Sequence, residues 1–467
     1  MTELVWLRND LRLADNPALR AASESDESLE VCFVLTPEQW RQHDWAQAKV
    51  QLLHASLEAL AQDLATLGIP FHVLSSTDFD ASVGDLEKLC RERQVSRLHF
   101  NLEYAVNERQ RDRQIKQRLS AKGIQVHAYH DQSVLPVGEV LTQQGTPYTV
   151  FTPFFKAWQQ TLSEAPVQLY ARPSSRGPAL HPTPIPRITG FGEAPAARLD
   201  GSEKAAHQRL DDFLQERAGR YARDRDFPAL DGTSQLSPYL ALGVLSGKQC
   251  LVAARSAAEE AGAQARKGFD TWISEICWRD FYINILRQFP RVSRHQAFKP
   301  ETDELTWAPT DERFQAWCEG RTGIPIVDAA MRQLNQTGWM HNRLRMVAAM
   351  FLTKNLWIDW REGERYFMQH LVDGYLPSNN GGWQWSASTG TDAAPYFRIF
   401  NPVTQSERFD PEGRFIRHYL PELRDLKGKT LFAPWTGRPA GLDYPEPLVN
   451  LKETRKQAIA AFKGLKA

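Results

Sequence analysis

Between Trp339 and Asn401 the chain concentrates side chains that rarely occur together by chance. Trp339-Met340-His341-Asn342-Arg343 opens the stretch, Asn379-Asn380-Gly381-Gly382 precedes the pair Trp383 and Trp385, and Ala394-Pro395-Tyr396-Phe397-Arg398-Ile399-Phe400-Asn401 closes it. Nine of the 14 tryptophans fall between Trp272 and Trp385. A single buried indole is explained by packing, because Trp fills large volumes in cores. A cluster of indoles beside paired glycines and amide side chains suits a flat aromatic ligand.

Three further stretches carry usable chemistry. Thr233-Ser234-Gln235-Leu236-Ser237-Pro238 sets hydroxyls at a helix start, with Ser237 as the expected N-cap and Pro238 at the first helical position. Hydroxyls and unpaired amides at one place suit a phosphate or diphosphate, and they suit plain capping equally well. Within Trp272 to Tyr282, helical spacing puts Glu275, Trp278, Arg279 and Tyr282 on one face. A carboxyl, an indole, a guanidinium and a phenol together can stack on and hydrogen-bond a base. A surface ion pair from Glu275 to Arg279 explains part of the same pattern. In His341-Asn342-Arg343-Leu344-Arg345-Met346, Asn342 and Met346 lie one turn apart, while Arg343 and Arg345 point elsewhere, toward phosphate or a cofactor acid. Asn inside a helix has poor propensity and tends to have a hydrogen-bonding reason to be there.

Composition bounds these possibilities. The chain has 467 residues, too many for one ordinary core, so two domains are expected. Basic and acidic residues balance at 56 each, which argues against a protein that coats nucleic acid and leaves room for a local basic groove. From Met331 to Arg365 six basic side chains face three acidic ones. That excess suits phosphate contacts, and solvated helix faces as well. Five widely spaced cysteines read as reduced, mostly buried thiols. Histidine spacing supports no metal site; His127 and His130 are a weak pair. With no membrane-length apolar run and no signal-type N-terminus, a cytoplasmic protein is expected.

The elements that must position these residues follow from periodicity. Glu3 to Leu7, Leu29 to Leu35, Pro70 to Leu74, Arg97 to Phe100 and Ile124 to Tyr129 read as strands. Pro17 to Ala22, Ala46 to Leu67, Phe79 to Arg93 and Asn107 to Leu119 read as helices between them. The alternation predicts an α/β N-terminal domain, residues 1–131, built as a doubly wound parallel five-stranded sheet. No G-x-G-x-x-G follows the first strand, so a dinucleotide held there in the usual way is not expected. Residues 132–200 read as a long interdomain linker, with prolines dense from Pro166 to Pro195. Residues 201–467 read as an all-α domain, including a helix from Ile326 to Leu334.

Taken together, these motifs resemble the class I DNA photolyases of the photolyase and cryptochrome family, most closely the bacterial enzymes that repair cyclobutane pyrimidine dimers with a folate antenna. The resemblance rests on Leu4-Val5-Trp6-Leu7-Arg8-Asn9-Asp10-Leu11-Arg12, on Thr233 to Ser246, Trp272 to Tyr282, Gly323 to Met346 and Asp359 to Phe367, and above all on Asn379 to Asn401. It implies FAD bound in the helical domain, with Tyr221, Thr233, Ser234, Gln235, Leu236 and Ser237 at its phosphates and ribityl chain. Trp272, Arg279, Trp339, Asn342, Arg345, Asp373, Gly374, Tyr375 and Asn379 would surround its rings, with Asn379 beside the flavin N5. It implies a lesion pocket of Glu275, Trp278, Asn342 and Met346, with Arg279, Tyr282, Arg343, Trp385 and Gln405, and Arg398 as a further candidate, against DNA. The dimer is flipped from the duplex into such a pocket.

The implied reaction is cyclic electron transfer from excited reduced FAD to the dimer and back, with no net redox change. Glu275 would hydrogen-bond the pyrimidine, and Trp383, Trp360 and Trp307 would form the indole chain that photoreduces oxidised flavin. Asn107 and Glu108, within Asn101 to Asp112, match the folate-antenna site for 5,10-methenyltetrahydrofolate; read alone, they fit a helix N-terminus with an acid in its first turn. The partner implied is dimer-containing DNA, with a monomeric protein and no membrane. Enzymes for the six-four photoproduct place paired histidines near Asn342, and a cryptochrome-type photoreceptor is the alternative function. One departure stands out: where the family reads D-G-D, this chain has Asp373-Gly374-Tyr375. A phenol there brings bulk and no charge, so an altered flavin potential or a weaker hold on the ring is expected.

Overall fold

Strands that are apolar on both faces must be covered on both, and the N-terminal half of the computed structural model is built that way. The structure describes residues 2–192 and 199–465, so Pro195 of the expected linker and the outermost chain ends lie outside the described residues. Five strands, β1 (Thr2–Leu7), β2 (Ser28–Leu35), β3 (Phe71–Ser75), β4 (Val95–Asn101) and β5 (Gln125–Tyr129), form one sheet in the order β3-β2-β1-β4-β5. Every pairing is parallel. The strands fall within two residues of their expected limits. Helices α1 (Pro17–Ser23), α2 (Gln47–Thr66), α3 (Phe79–Glu92) and α4 (Val106–Ser120) supply the crossovers.

Alternate residues of each strand serve different cores. Leu4, Trp6, Cys32 and Val34 pack with Val83 and Leu86 of α3 and with Ile115 and Leu119 of α4. Val5, Leu7, Val31 and Phe33 face the other way, against Leu19, Leu53 and Leu57. That second core does not stop at the sheet. It runs on through Phe154, Trp158, Phe213, Leu242, Ile276 and Phe281, so the two halves share one apolar interior.

Part of this continuity comes from the segment expected to be a plain linker. It contains α5 (Phe151–Glu164), whose buried Phe151, Phe154, Trp158 and Leu162 recur at helical spacing. From Pro166 to Gly192 no helix or strand forms, as proline density predicts.

The helical half is organised by α6 (Ser237–Leu242), α7 (Ala263–Gln288), α8 (Pro325–Thr337), α9 (Asn342–Met350), α10 (Trp360–His370), α11 (Leu376–Ala387) and α12 (Pro402–Phe409). The 26 residues of α7 span about 39 Å and are buried along more than one face. A separate core gathers α8 to α11 around Trp317, Trp360 and Trp383. All five cysteines are buried and unbridged. Among the described residues no helix is long and apolar enough to cross a membrane.

The loop after β1 locks the halves together. Arg12, 1 % exposed, pairs with Asp131 and donates to the Gly243 carbonyl at 3.0 Å. The Leu11 amide donates to Leu242 O at 3.2 Å, and Ser246 Oγ donates to Asp15 Oδ2 at 2.6 Å. Glu203 accepts from the Leu13 and Ala14 amides at 2.9 and 3.2 Å. Removing one member of a buried ion pair strands the other charge. Arg12→Ala is therefore expected to cost about 3–5 kcal/mol of unfolding free energy, measured as a lowered urea midpoint.

Candidate functional site

A cavity of about 460 Å³ opens among α6, α7, α9 and α11. Its first wall is the loop Thr233 to Leu236 leading into α6. Gln235 holds a left-handed φ of 50° there, a strained conformation for a side chain without local compensation and typical of ligand sites. Ser237 does not cap the helix as expected: Leu236 occupies the cap position, and no side chain bonds the helix start. Ser237 Oγ donates instead to Asp373 Oδ2 at 2.6 Å, because an unpaired buried carboxylate costs more than an uncapped amide.

Asp373 also takes Arg345 Nη2 at 2.8 Å. Its other oxygen, Oδ1, is buried with no partner, and so is the indole nitrogen of Trp339 on the same cavity wall. One orphan acceptor and one orphan donor beside an open space mark positions for a polar ligand.

The second wall is α7. Glu275 pairs with Arg225 at 2.6 Å and not with Arg279, which removes the surface ion pair as an explanation. Burial pushes the Glu275 carboxyl upward from its ordinary value, while Arg225 pulls in the opposite direction. Trp278 stacks on Phe151 of α5 with ring centres 3.6 Å apart and planes 6° from parallel. Arg279 donates to the carbonyls of Gln132 and, at 3.2 Å, Leu240, and lies 4.9 Å from the centre of the Tyr375 ring.

Residues of α11 complete the enclosure, and the glycine pair has two separate uses. A Cβ on Gly381 would come within 2.2 Å of the Tyr282 ring, so the glycine lets that ring lie flat against the helix. A Cβ on Gly382 meets nothing within 4 Å, because this residue faces the cavity itself. Tyr375, Ser378 and Trp385 lie on the same stripe. Asn342 and Met346 enter from α9, one turn apart.

The cavity thus gathers Tyr221, Thr233, Ser234, Gln235, Leu236, Ser237, Trp272, Glu275, Trp278, Arg279, Tyr282, Trp339, Asn342, Arg345, Met346, Asp373, Tyr375 and Trp385, all selected from sequence. Two further residues expected at the same ligand contact neighbouring elements. The Asn379 side-chain amide, one turn after Tyr375, donates to Glu364 O of α10 at 3.0 Å. Gly374 turns its carbonyl to Lys49 Nζ, 2.6 Å away. Arg343 is off the lining, paired with Asp226 at 2.9 Å over the Phe409 ring. Gln405 sits on α12, outside the cavity, with a buried, unpartnered Oε1. Arg398 is exposed. Sequence reading missed Arg225, although it stands one turn after Tyr221, and missed the Phe151 platform, which belongs to the segment read as linker.

Trp360 and Trp383 are buried in the second helical core and Trp307 is half-buried. Trp383 meets Phe367 at 4.9 Å and Trp317 at 6.1 Å, and Trp307 meets Trp357 at 4.8 Å. Trp357 belongs to the tryptophan cluster noted in the sequence, whereas Trp317 was not singled out by it.

A smaller cavity, about 130 Å³, lies between the two halves and takes in Asn107 and Glu108. Glu108 has a buried oxygen without a partner, and burial, then the Glu103 carboxylate, pushes its pKa up to about 7. Asn107 Nδ2 lies 3.0 Å from His43 Nε2. Lys49, its pKa brought down by burial to about 7, sits 3.7 Å over the Trp45 ring. Tyr375 lines both cavities, and its hydroxyl donates to Gln132 Oε1 at 3.2 Å.

Known proteins show the same organisation. A family profile described as DNA photolyase matches residues 3–174, and one described as FAD binding domain of DNA photolyase matches residues 272–464. Deoxyribodipyrimidine photo-lyase of Escherichia coli is 46 % identical over 99 % of this chain and 98 % of its own. The chain belongs to the DNA photolyase family. It is of the class I bacterial type within that family, and its helical half is an FAD-binding domain. Among solved photolyase-family structures, a bacterial class III photolyase from Agrobacterium tumefaciens superposes with a TM-score of 0.87 at 32 % identity, covering 99 % of this chain and 97 % of that one. A cryptochrome from Synechocystis also gives 0.87, at 28 % identity, over 98 % and 99 % of the two chains.

The Glu275 environment of this photolyase fixes the sign of a pH effect. A carboxyl with a raised folded pKa contributes stability that is complete below its unfolded pKa and is lost as pH rises through the folded value. Glu275→Gln abolishes that slope, and the loss of the Arg225 pair adds a pH-independent offset. The stability difference, variant minus native, is expected to move in the variant's favour as pH rises above the ordinary carboxylate range, read from urea midpoints of flavin-free protein.

Proposed function

We propose that this chain is a deoxyribodipyrimidine photo-lyase that uses light to revert cyclobutane pyrimidine dimers in DNA. One observation carries the reading: Glu275, Trp278 and Met346 share a single cavity with the hydroxyl-rich loop Thr233 to Ser237 and with the orphan atoms of Asp373 and Trp339. These residues would hold FAD, which when bound and reduced would supply the light-driven one-electron chemistry.

The residues divide the work by chemistry. Thr233, Ser234 and Ser237 offer hydroxyls to the diphosphate and ribityl chain, while Tyr221, Gln235, Leu236 and Trp272 enclose them. Asp373 Oδ1 and the Trp339 indole N–H receive the polar groups that complete their hydrogen bonding. Asn342, Arg345, Arg279 and Tyr375 close the flavin side. On the DNA side, Trp278, backed by Phe151, presents a rigid aromatic surface on which an extruded dimer stacks. Met346 packs against the dimer, with Tyr282 and Trp385 flanking. Glu275 is paired with Arg225 in the free protein, and burial eases its protonation when a dimer enters, so that it would then donate a hydrogen bond to a pyrimidine carbonyl where negative charge develops. Arg343, Arg398 and Gln405, outside the cavity, are assigned to contacts with the DNA backbone. Asn379, whose amide nitrogen holds α11 to α10, is assigned to the flavin N5.

Trp383, Trp360 and Trp307 pass from buried to half-buried, the order required of an indole relay that carries electrons inward from the surface. The smaller cavity is assigned to a 5,10-methenyltetrahydrofolate antenna, whose pterin edge suits the orphan oxygen of Glu108 and the amide of Asn107. The protein acts as a cytoplasmic monomer on dimer-containing DNA.

The test is purified protein with reductant, irradiated oligothymidylate and blue or near-ultraviolet light, with dimer loss followed by absorbance. Binding of FAD and DNA without any dimer reversal assigns the chain to light sensing instead. Trp278→Ala is expected to weaken binding of dimer-containing DNA about tenfold or more, since base stacking on an aromatic ring is worth about 1–3 kcal/mol, and to leave flavin absorbance in place. Glu108→Ala is expected to abolish the near-ultraviolet band gained when folate is added, with the FAD content unchanged by absorbance.

A further inference from the structure

The charges around the flavin cavity do not balance. Three guanidiniums line it, those of Arg225, Arg279 and Arg345, against two carboxylates, Glu275 and Asp373. Each carboxylate is already engaged: Glu275 holds Arg225 at 2.6 Å, and Asp373 holds Arg345 at 2.8 Å. Arg279 is left with main-chain carbonyls and the Tyr375 ring face, and among the described residues no carboxylate forms an ion pair with it. The adjacent Asp280 forms no ion pair with Arg279: its carboxylate accepts from the Val134 amide and the Trp158 indole N–H, and feels the guanidinium only through space.

Tyr375 keeps it so. The side chain occupies the wall between the two cavities, with its ring against Arg279 and its hydroxyl on Gln132 Oε1. Burial holds the phenol neutral, with its pKa pushed up to about 12. An aromatic face attracts the guanidinium without cancelling its charge. A carboxylate at the same place would cancel it.

We propose that Tyr375 is a positioning residue that keeps Arg279 free of an ion-paired carboxylate, so that Arg279 serves as the counter-charge of the anionic reduced flavin and raises its reduction potential. This rests on the reading of the larger cavity as the FAD site. Oxidised FAD takes two electrons and one proton from an external reductant such as dithionite and ends with one negative charge on the ring system. A fixed cation within the same poorly solvated space favours that product over the neutral oxidised ring.

The experiment uses the full FAD-loaded protein, reduced anaerobically with dithionite in the presence of a reference dye. The quantity read is the ratio of reduced to oxidised flavin at a fixed dye ratio, together with the affinity for FAD in each redox state. Tyr375→Asp is expected to lower the ratio about tenfold or more. Arg279→Gln, which removes the cation with no new charge, is expected to shift it the same way and keeps the test available if the first variant fails to fold. Tyr375→Phe retains the ring and stays uncharged, and should hold the ratio within about twofold. The proposal is overturned if Tyr375→Asp and Arg279→Gln leave the ratio unchanged. It is overturned as well if they weaken both redox states equally, which would place Arg279 on the diphosphate. A native protein that takes up no FAD would instead remove the reading of the cavity, and this inference with it.

Discussion

The buried carboxylate of Asp373 is the interaction on which the larger cavity depends. It sits at the turn between α10 and α11, and accepts from Ser237 at the start of α6 and from Arg345 on α9. Three segments far apart in sequence are tied to one oxygen atom. A buried carboxylate is tolerated only when its charge is met and its lone pairs are used, so the tie also fixes spacing. The oxygen left without a partner points to what the assembly awaits.

Around that node the helices contribute by register. A single face of α7 delivers Glu275, Trp278, Arg279 and Tyr282, and a single stripe of α11 delivers Tyr375, Ser378, Gly382 and Trp385. Neither helix could approach the other so closely with a larger residue at Gly381, where the Tyr282 ring lies. Packing and function use the same contact here.

The sheet half positions more than the smaller cavity. Its core passes without interruption into the helices through Phe154, Trp158 and Phe281. Phe151, on the helix that bridges the two, supplies the platform behind Trp278. The two cavities then meet at one residue, Tyr375, whose ring faces Arg279 and whose hydroxyl bonds Gln132.

Much of this was written in local sequence. Strand and helix periods gave the sheet, its five members and the crossovers, because side-chain alternation is a property of neighbouring residues. Residue type and motif pointed to eighteen side chains that do line the larger cavity. Pairing was not legible. Glu275 and Arg279 are one turn apart, yet the carboxylate goes to Arg225, 50 residues earlier in the chain. Ser237 carries the signature of a cap and spends its hydroxyl on Asp373. Asn379 shares a helical face with Tyr375 and Gly382, yet its amide nitrogen is taken by the Glu364 carbonyl of α10. Sequence determines which groups are present and the face of the element each occupies. Which partner a group takes, and whether a charge is left over, was decided only by the tertiary structure, since partners compete across distances that no local spacing encodes.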